Sequence, residues 1–147
     1  MMNKMLISQV SVFIENETGT LYEIADILGK NNINIRALSL ADTSDFGILR
    51  LILDDPMRGY DILKHCDFTV GKTDVIAVEV PDKPGGLASV LKVLKDNFVN
   101  IEYMYAFVER SGESAVMIFR FDETEKAIEA LNNSNIVTIS ADKLYSL

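Results

Sequence analysis

From Leu6 to Ile14, apolar residues at Leu6, Val10, Val12 and Ile14 alternate with Gln9 and Ser11, a period of two that predicts a half-buried strand. The period then changes. Leu21, Ile24, Ala25 and Leu28 fall at i, i+3, i+4 and i+7, and Ile27 widens the stripe. That spacing predicts a helix from Thr20 to about Lys30 with one buried face, ended by Gly29-Lys30-Asn31-Asn32. Ile33-Asn34-Ile35 opens a second strand that runs to about Ala41, and the polar turn-formers from Asp42 to Gly47 predict a hairpin loop into Ile48–Leu53. That third strand is nearly all apolar, which suits a central place in a sheet. Asp54-Asp55-Pro56 is a helix start, with an Asp cap and Pro in the first turn. The helix it opens carries Met57, Tyr60, Ile62 and Leu63, and after His65-Cys66-Asp67 the run Phe68-Thr69-Val70 predicts a short strand. The order is therefore β-α-β-β-α-β.

The second half repeats it. Ile76, Val78 and Val80 correspond to Val10, Val12 and Ile14; Leu87, Val90, Leu91 and Leu94 to Leu21, Ile24, Ala25 and Leu28; Val99-Asn100-Ile101 to Ile33-Asn34-Ile35. The offset is 66 residues up to this point and 68 from Ile48, which matches Val116, so the second hairpin, near Arg110 to Glu113, is two residues longer. A small length change at a hairpin tip with intact flanking pattern is what a structural repeat tolerates. Thr124 to Leu131 is the fourth predicted helix and Ile136 to Ser140 the last strand, with Gly71 to Thr73 as a tight junction between repeats. The expected fold is α+β: two ferredoxin-like βαββαβ units with antiparallel sheets, 1–71 and 72–147, packed together because a unit of that size buries little core alone.

Charge and composition narrow the function. The net charge is -8 and the isoelectric point about 4.6, with no run of Lys or Arg, so the long-range field repels nucleic acid and anionic lipid. One cysteine, Cys66, cannot form an internal disulfide, and no apolar run has the length of a membrane span. A reducing cytoplasm is the expected setting. His65 and Cys66 cannot by themselves assemble a zinc site; helix-end solvation is the reading for His65 and burial for Cys66. No cofactor or metal is expected. No paired nucleophile and base is visible, and Phe119 and Phe121 are assigned to the core rather than to an RNA-stacking surface.

Each first strand ends in a similar turn: Asn16-Glu17-Thr18-Gly19-Thr20-Leu21 and Asp82-Lys83-Pro84-Gly85-Gly86-Leu87. A strand, then Asp-x-Pro-Gly-x-Leu, then a one-faced helix, then Val/Ile-Asn-Ile resembles the ACT domain, a small ferredoxin-like module that binds amino acids and regulates metabolic enzymes. The resemblance covers nearly the whole chain as two tandem units without a catalytic domain. Asp82, Pro84, Gly85, Leu87, Val99, Asn100 and Ile101 match it in the second unit; Asn16, Gly19, Leu21, Ile33, Asn34 and Ile35 match it in the first, where Thr18 replaces the usual Pro.

The resemblance implies a non-catalytic regulatory module with a free amino acid held between two units, by the strand-to-helix turn of one and the opening of the second strand of the other. Carried over residue by residue, the ligand contacts are Asn16, Thr18, Gly19, Thr20, Leu21 and Asn34 in the first unit, and Asp82, Pro84, Gly85, Gly86, Leu87 and Asn100 in the second. The chemistry is compatible. Amides beside Gly19 and Gly85 suit a carboxylate, and the side-chain oxygens of Asn16, Asp82, Asn34 and Asn100 suit an ammonium. The same residues also fit a structural reading, as helix caps and ends. An interaction module with degenerate sites is the alternative function. A ferredoxin-like enzyme such as an acylphosphatase is the third, but neither strand-to-helix loop here has the arginine that its chemistry needs. Unpaired second strands predict side-by-side packing of units or a homodimer, and a metabolic enzyme is the expected protein partner.

Overall fold

The computed structural model describes residues 2–15, 17–42, 46–107 and 114–146. The tips of both predicted hairpin loops, and Asn16, lie outside the described residues. Two compact units divide the chain: Ser8–Thr73, and Asp74–Leu147 together with Met1–Ile7.

The first unit contains β1 (Leu6–Glu15), α1 (Thr20–Lys30), β2 (Ile35–Asp42), β3 (Phe46–Leu53), α2 (Pro56–His65) and the opening of β4 (Thr69–Pro81). Its strands lie in the order β2-β3-β1-β4, so the apolar β3 is internal and β2 is the outer strand. The second unit uses the rest of β4, then α3 (Gly86–Asp96), β5 (Ile101–Phe107), β6 (Ser114–Phe121), α4 (Thr124–Asn133) and β7 (Thr138–Ile139). Its order is β5-β6-β4, with β7 on the other side of β4. Both are ferredoxin-like, and the pairs β1–β3, β2–β3, β4–β6 and β5–β6 are antiparallel.

The repeat extends to the register. Val12 faces Leu49 and Val78 faces Met117; Ile14 faces Gly47 and Val80 faces Ala115. The outer strand is bulged at the same place in both units, between Ile35 and Ala37 and between Ile101 and Tyr103. All four of these long helices end alike. The residue after the helical C-cap takes a positive φ, at Asn32, Asp67, Phe98 and Asn135, and the next amide reaches back to the last buried leucine: Ile33 to Leu28, Phe68 to Leu63, Val99 to Leu94, Ile136 to Leu131. This is the hydrogen-bonded stop that satisfies a helix's last carbonyls.

Each unit has its own core. Val10, Val12, Ile14, Ile24, Leu28, Leu49, Leu51 and Leu63 form that of the first, and Ile76, Val78, Val80, Val90, Leu94, Phe119, Phe121 and Leu131 that of the second. The rings of Phe119 and Phe121 stack at 5.4 Å, which places these two in the core as their strand position implies.

Several details differ from the sequence expectation. Gln9 and Ser11, the polar half of the first strand's alternation, are buried. Their spacing of two puts both side chains on one face, where Gln9 Nε2 donates to Ser11 Oγ at 3.3 Å. In α1 only Ile24 and Leu28 are buried; Ala25 and Leu21 are exposed, because the buried face is narrower than the apolar stripe. Cys66 is exposed rather than buried, since it caps α2 on the outside of the turn. Residues 71–73, expected as a junction, are part of β4. The last strand is cut to two residues, and α5 (Ala141–Ser146) follows it, burying Leu144.

Candidate functional site

The two strand-to-helix turns are built alike. Gly19 (φ 93°) and Gly85 (φ 83°) are the N-caps of α1 and α3 in the left-handed region, which a residue without Cβ enters without strain. In the first, the Glu17 amide donates to Glu15 O at 2.8 Å, Thr20 to Glu17 O at 3.4 Å and Glu23 to Gly19 O at 3.0 Å. In the second, Lys83 donates to Pro81 O at 3.0 Å, Gly86 to Lys83 O at 2.9 Å and Ser89 to Gly85 O at 3.0 Å. Neither helix has a side-chain cap. The amides of Leu21, Tyr22, Leu87 and Ala88 therefore carry no hydrogen bond among the described residues, which leaves the first turn of each helix able to accept an anion. By contrast, α2 is capped by Asp55 Oδ1, which accepts from the Arg58 amide at 3.2 Å.

The turns differ at one position. Gly86 is buried against the end of β4, and a Cβ there would stand 1.9 Å from Pro81 O; its counterpart in the first unit is Thr20. The bond that closes the turn is 3.4 Å at Thr20 and 2.9 Å at Gly86. Beside the first turn lies a small recess of about 80 Å³, walled by Ile14, Glu15, Thr20, Leu21, Leu40 and Gly47. Thr18, Asp82 and Pro84 are exposed at the turn surfaces, Thr20 is half-buried, and Leu21 and Leu87 are 43% and 37% exposed.

Asn34 and Asn100 sit elsewhere. The Asn34 amide donates to Asp54 Oδ1 at 3.0 Å while its carbonyl accepts from the Asp54 amide at 3.1 Å. Asn100 and Asp122 repeat this pair at 3.1 Å in both directions. Both asparagines are exposed, and their side-chain amides make no hydrogen bond among the described residues. The sequence assigned Asp54 to a helix start; its carboxylate instead pins the entry of β2, and Asp122 does the same for β5. The repeat contains the signal that finds this, since Asn34/Asn100 and Asp54/Asp122 recur as two matched pairs.

Within one unit the turn and the asparagine are far apart. Glu15, next to the turn, pairs with Phe46 at the start of β3, whereas Ile35, next to Asn34, pairs with Leu53 at its end. The eight residues of β3 separate them by roughly 23 Å at 3.3 Å per residue. The structure thus brings together the turn residues of each unit but not the turn and the asparagine of the same unit.

Among the described residues, no group of three His, Cys, Asp or Glu side chains is placed to hold a metal ion, and no helix is long and apolar enough to cross a membrane. His65 is exposed, its Nδ1 2.7 Å from Asp61 O. On α3, the Lys92 ammonium sits 2.6 Å from Asp96 and holds that exposed carboxyl below its usual range, chiefly through this hydrogen bond.

The family model of the ACT domain pair matches residues 5–147. Among solved structures, the protein BT0572 from Bacteroides thetaiotaomicron is 41% identical, with a TM-score of 0.93 and 99% of both chains covered. The regulatory subunits of aspartate kinase from Thermus thermophilus (ligand-free form) and Thermus flavus are each 14% identical and share the fold. Their TM-scores are 0.65 and 0.59, over 88% and 87% of this chain and 93% and 92% of theirs. Comparison with curated proteins gives no match. Two ferredoxin-like units with matched glycine turns, and a family match over nearly the whole length, make this chain a member of the ACT-domain-pair family of regulatory modules.

Proposed function

We propose that this chain is a non-catalytic regulatory module that binds a small amino acid or related ligand, held by the turn of one unit and the second-strand opening of another. What supports the reading is the separation of the glycine turn from the asparagine within one unit. Each turn offers first-turn amides beside a glycine, and each Asn lies at the opposite end of its own sheet; among the described residues neither these amides nor the Asn side chains are hydrogen-bonded. One unit cannot close on a ligand by itself, so the partner half-site comes from another unit. In this reading Gly19, Thr20 and Leu21, with Asn16 and Thr18, serve one half-site, and Asp82 with Pro84, Gly85, Gly86 and Leu87 serves the other. Asn34 and Asn100 complete them.

The second strands β2 and β5 are outer strands, which supports assembly through their edges into a homodimer. In this reading a metabolic enzyme reads out binding, as the name of the aspartate kinase regulatory subunits that share the fold implies for them, and the setting is cytoplasmic. A second reading, an interaction module with degenerate sites, draws on the exposed Leu21, Leu38 and Leu40 of the first unit, an apolar surface suited to a protein partner.

A thermal-shift panel of the common amino acids separates the two. Ligand at 100 times Kd adds about 2.7 kcal/mol to apparent stability, so at least one amino acid raises the melting temperature if the first reading holds. A flat panel, with a dimer in light scattering, selects the second.

A further inference from the structure

We infer that Phe98 is a knob for a second copy of this chain, and that its socket is the recess beside the first glycine turn. The second-strand opening in the second unit of one copy then meets the first turn of the other copy. This rests on the reading that another unit completes each site, and it names the two surfaces that meet.

The knob stands out by comparison with its equivalents. The four long helices each end with a residue at positive φ, and at three of them it is Asn32, Asp67 or Asn135, types that enter this region readily. The fourth is Phe98, a bulky side chain for which a φ of 58° is an outlier. It is also 83% exposed. One position thus combines backbone strain with an open aromatic ring, and burial against a partner accounts for both. Because the ring is open in the single chain, the socket that takes it lies on a second copy.

The socket is the recess of about 80 Å³ over Gly47. A Cβ placed at Gly47 would stand 3.3 Å from Ile14 Cγ1 and 3.5 Å from Leu40 Cδ1, so these two side chains lean over bare glycine backbone. Leu21 of α1 lines the same recess, and Leu21 and Leu40 are exposed although apolar. In the second unit Ala115 stands at the place of Gly47, which puts a methyl on the floor, and Ala106 at that of Leu40, which removes a wall. The first unit has Asn32 in place of the knob. Knob and socket therefore lie on different units.

The charges are complementary. Lys126 Nζ donates to Phe98 O at 3.4 Å, and exposed Lys95, whose carbonyl accepts from the Phe98 amide at 3.1 Å, is in no ion pair among the described residues. The nearby acids are engaged, Asp96 by Lys92 at 2.6 Å and Glu123 by Lys126 at 3.4 Å. At the socket, Glu15 alternates to the opposite sheet face from Ile14, which leaves Glu17, exposed on the turn, as the charge at the mouth. From Glu15 to Gly29 the chain has no Lys or Arg. Opposite charges around an apolar anchor fix which surfaces meet.

Sedimentation equilibrium of the full chain without amino acid tests the contact. Phe98→Asn and Leu40→Ala are each expected to weaken self-association about tenfold, the loss of an anchor or of its pocket. The double variant is expected to be no weaker than the worse single one, because both changes remove the same contact. At protein concentrations too low for association, Phe98→Asn should melt no lower than the parent and Leu40→Ala should keep a cooperative transition, which verifies both folds. A monomeric parent, or losses that simply add, overturns the proposal. So does weakening by Leu40→Ala alone, which would assign the contact to pairing of β2 edges. A thermal-shift panel separates this from the ligand reading: amino-acid binding without coupling between Phe98 and Leu40 removes only the contact, and coupling with a flat panel keeps the contact and removes the ligand.

Discussion

The two glycine turns share a backbone path and differ in how tightly they close. In the second, Gly86 lets the helix start press on Pro81, and the closing bond is 2.9 Å; in the first, Thr20 occupies that place and the bond is 3.4 Å. The turn sequence suggests that Thr18, in place of Pro84, is what loosens the first copy. The contact geometry puts the decisive difference two residues later, because a missing proline changes only φ freedom, whereas a Cβ at 86 has no room. A repeat therefore conserves hydrogen-bond topology while its steric details drift apart.

The largest effect expected from exchanging the two turns is at that position. Gly86→Thr is expected to cost about 3 kcal/mol through overpacking, while Thr20→Gly changes stability by less than about 1 kcal/mol. Urea unfolding of both variants measures this, and equal costs would mean the turns are interchangeable. Where the units are alike, mutations should act alike. Asp54→Ala is expected to lose about 1.5 kcal/mol, the value of a hydrogen bond to a charged group, and Asp122→Ala, whose carboxylate also accepts from the Glu123 amide at 2.8 Å, between that and about twice that. Values differing by more than twofold would break the equivalence of the two strand entries.

Helix ends give a smaller contrast. Phe98 holds a φ of 58° and is 83% exposed, where the first unit has Asn32 at 59°. Asparagine tolerates this region far better than phenylalanine. Phe98→Asn should therefore stabilise by about 0.5 to 1 kcal/mol and Asn32→Phe do the reverse, both visible as shifts of the denaturation midpoint. The smallest effect concerns Asp96. Its folded-state pKa is lowered, so its contribution is present above the unfolded carboxylate range and is lost as pH falls through the folded pKa. Lys92→Ala is expected to move the Asp96 side-chain carboxyl titration in NMR upward with little change in melting temperature; an unmoved titration would remove Lys92 as the cause.

Much of the fold was legible because periodicity reports burial directly. The switch from period two to i, i+3, i+4 at Gly19 and again at Gly85, and the nearly unbroken apolar β3, followed from which faces meet water. The polar face of β1 was not legible. Gln9 and Ser11 read as solvent-facing, but burial of a polar pair depends on whether the two find each other, and here they do. Cys66 misled for the opposite reason: a small apolar side chain at a helix end carries no periodic signal. In the candidate site, the glycines and asparagines were visible as repeated residues. Of the partner carboxylates, Asp54 was hidden behind an equally good role as a helix start, and Asp122 was visible only as its match at the 68-residue offset.

By itself the sequence determined the tandem repeat, the element order, the glycine turns and the acidic charge, all of which depend on local pattern or on simple counting. Only the tertiary structure decided the rest. Strand pairing set the turn and the asparagine of one unit at opposite ends of β3, and close packing made Gly86 irreplaceable where Thr20 is accommodated. The meeting of β1, α1, β2 and β3 formed a recess whose lining residues lie far apart along the chain. Distances between residues remote in sequence follow from register and packing, and a linear pattern contains neither.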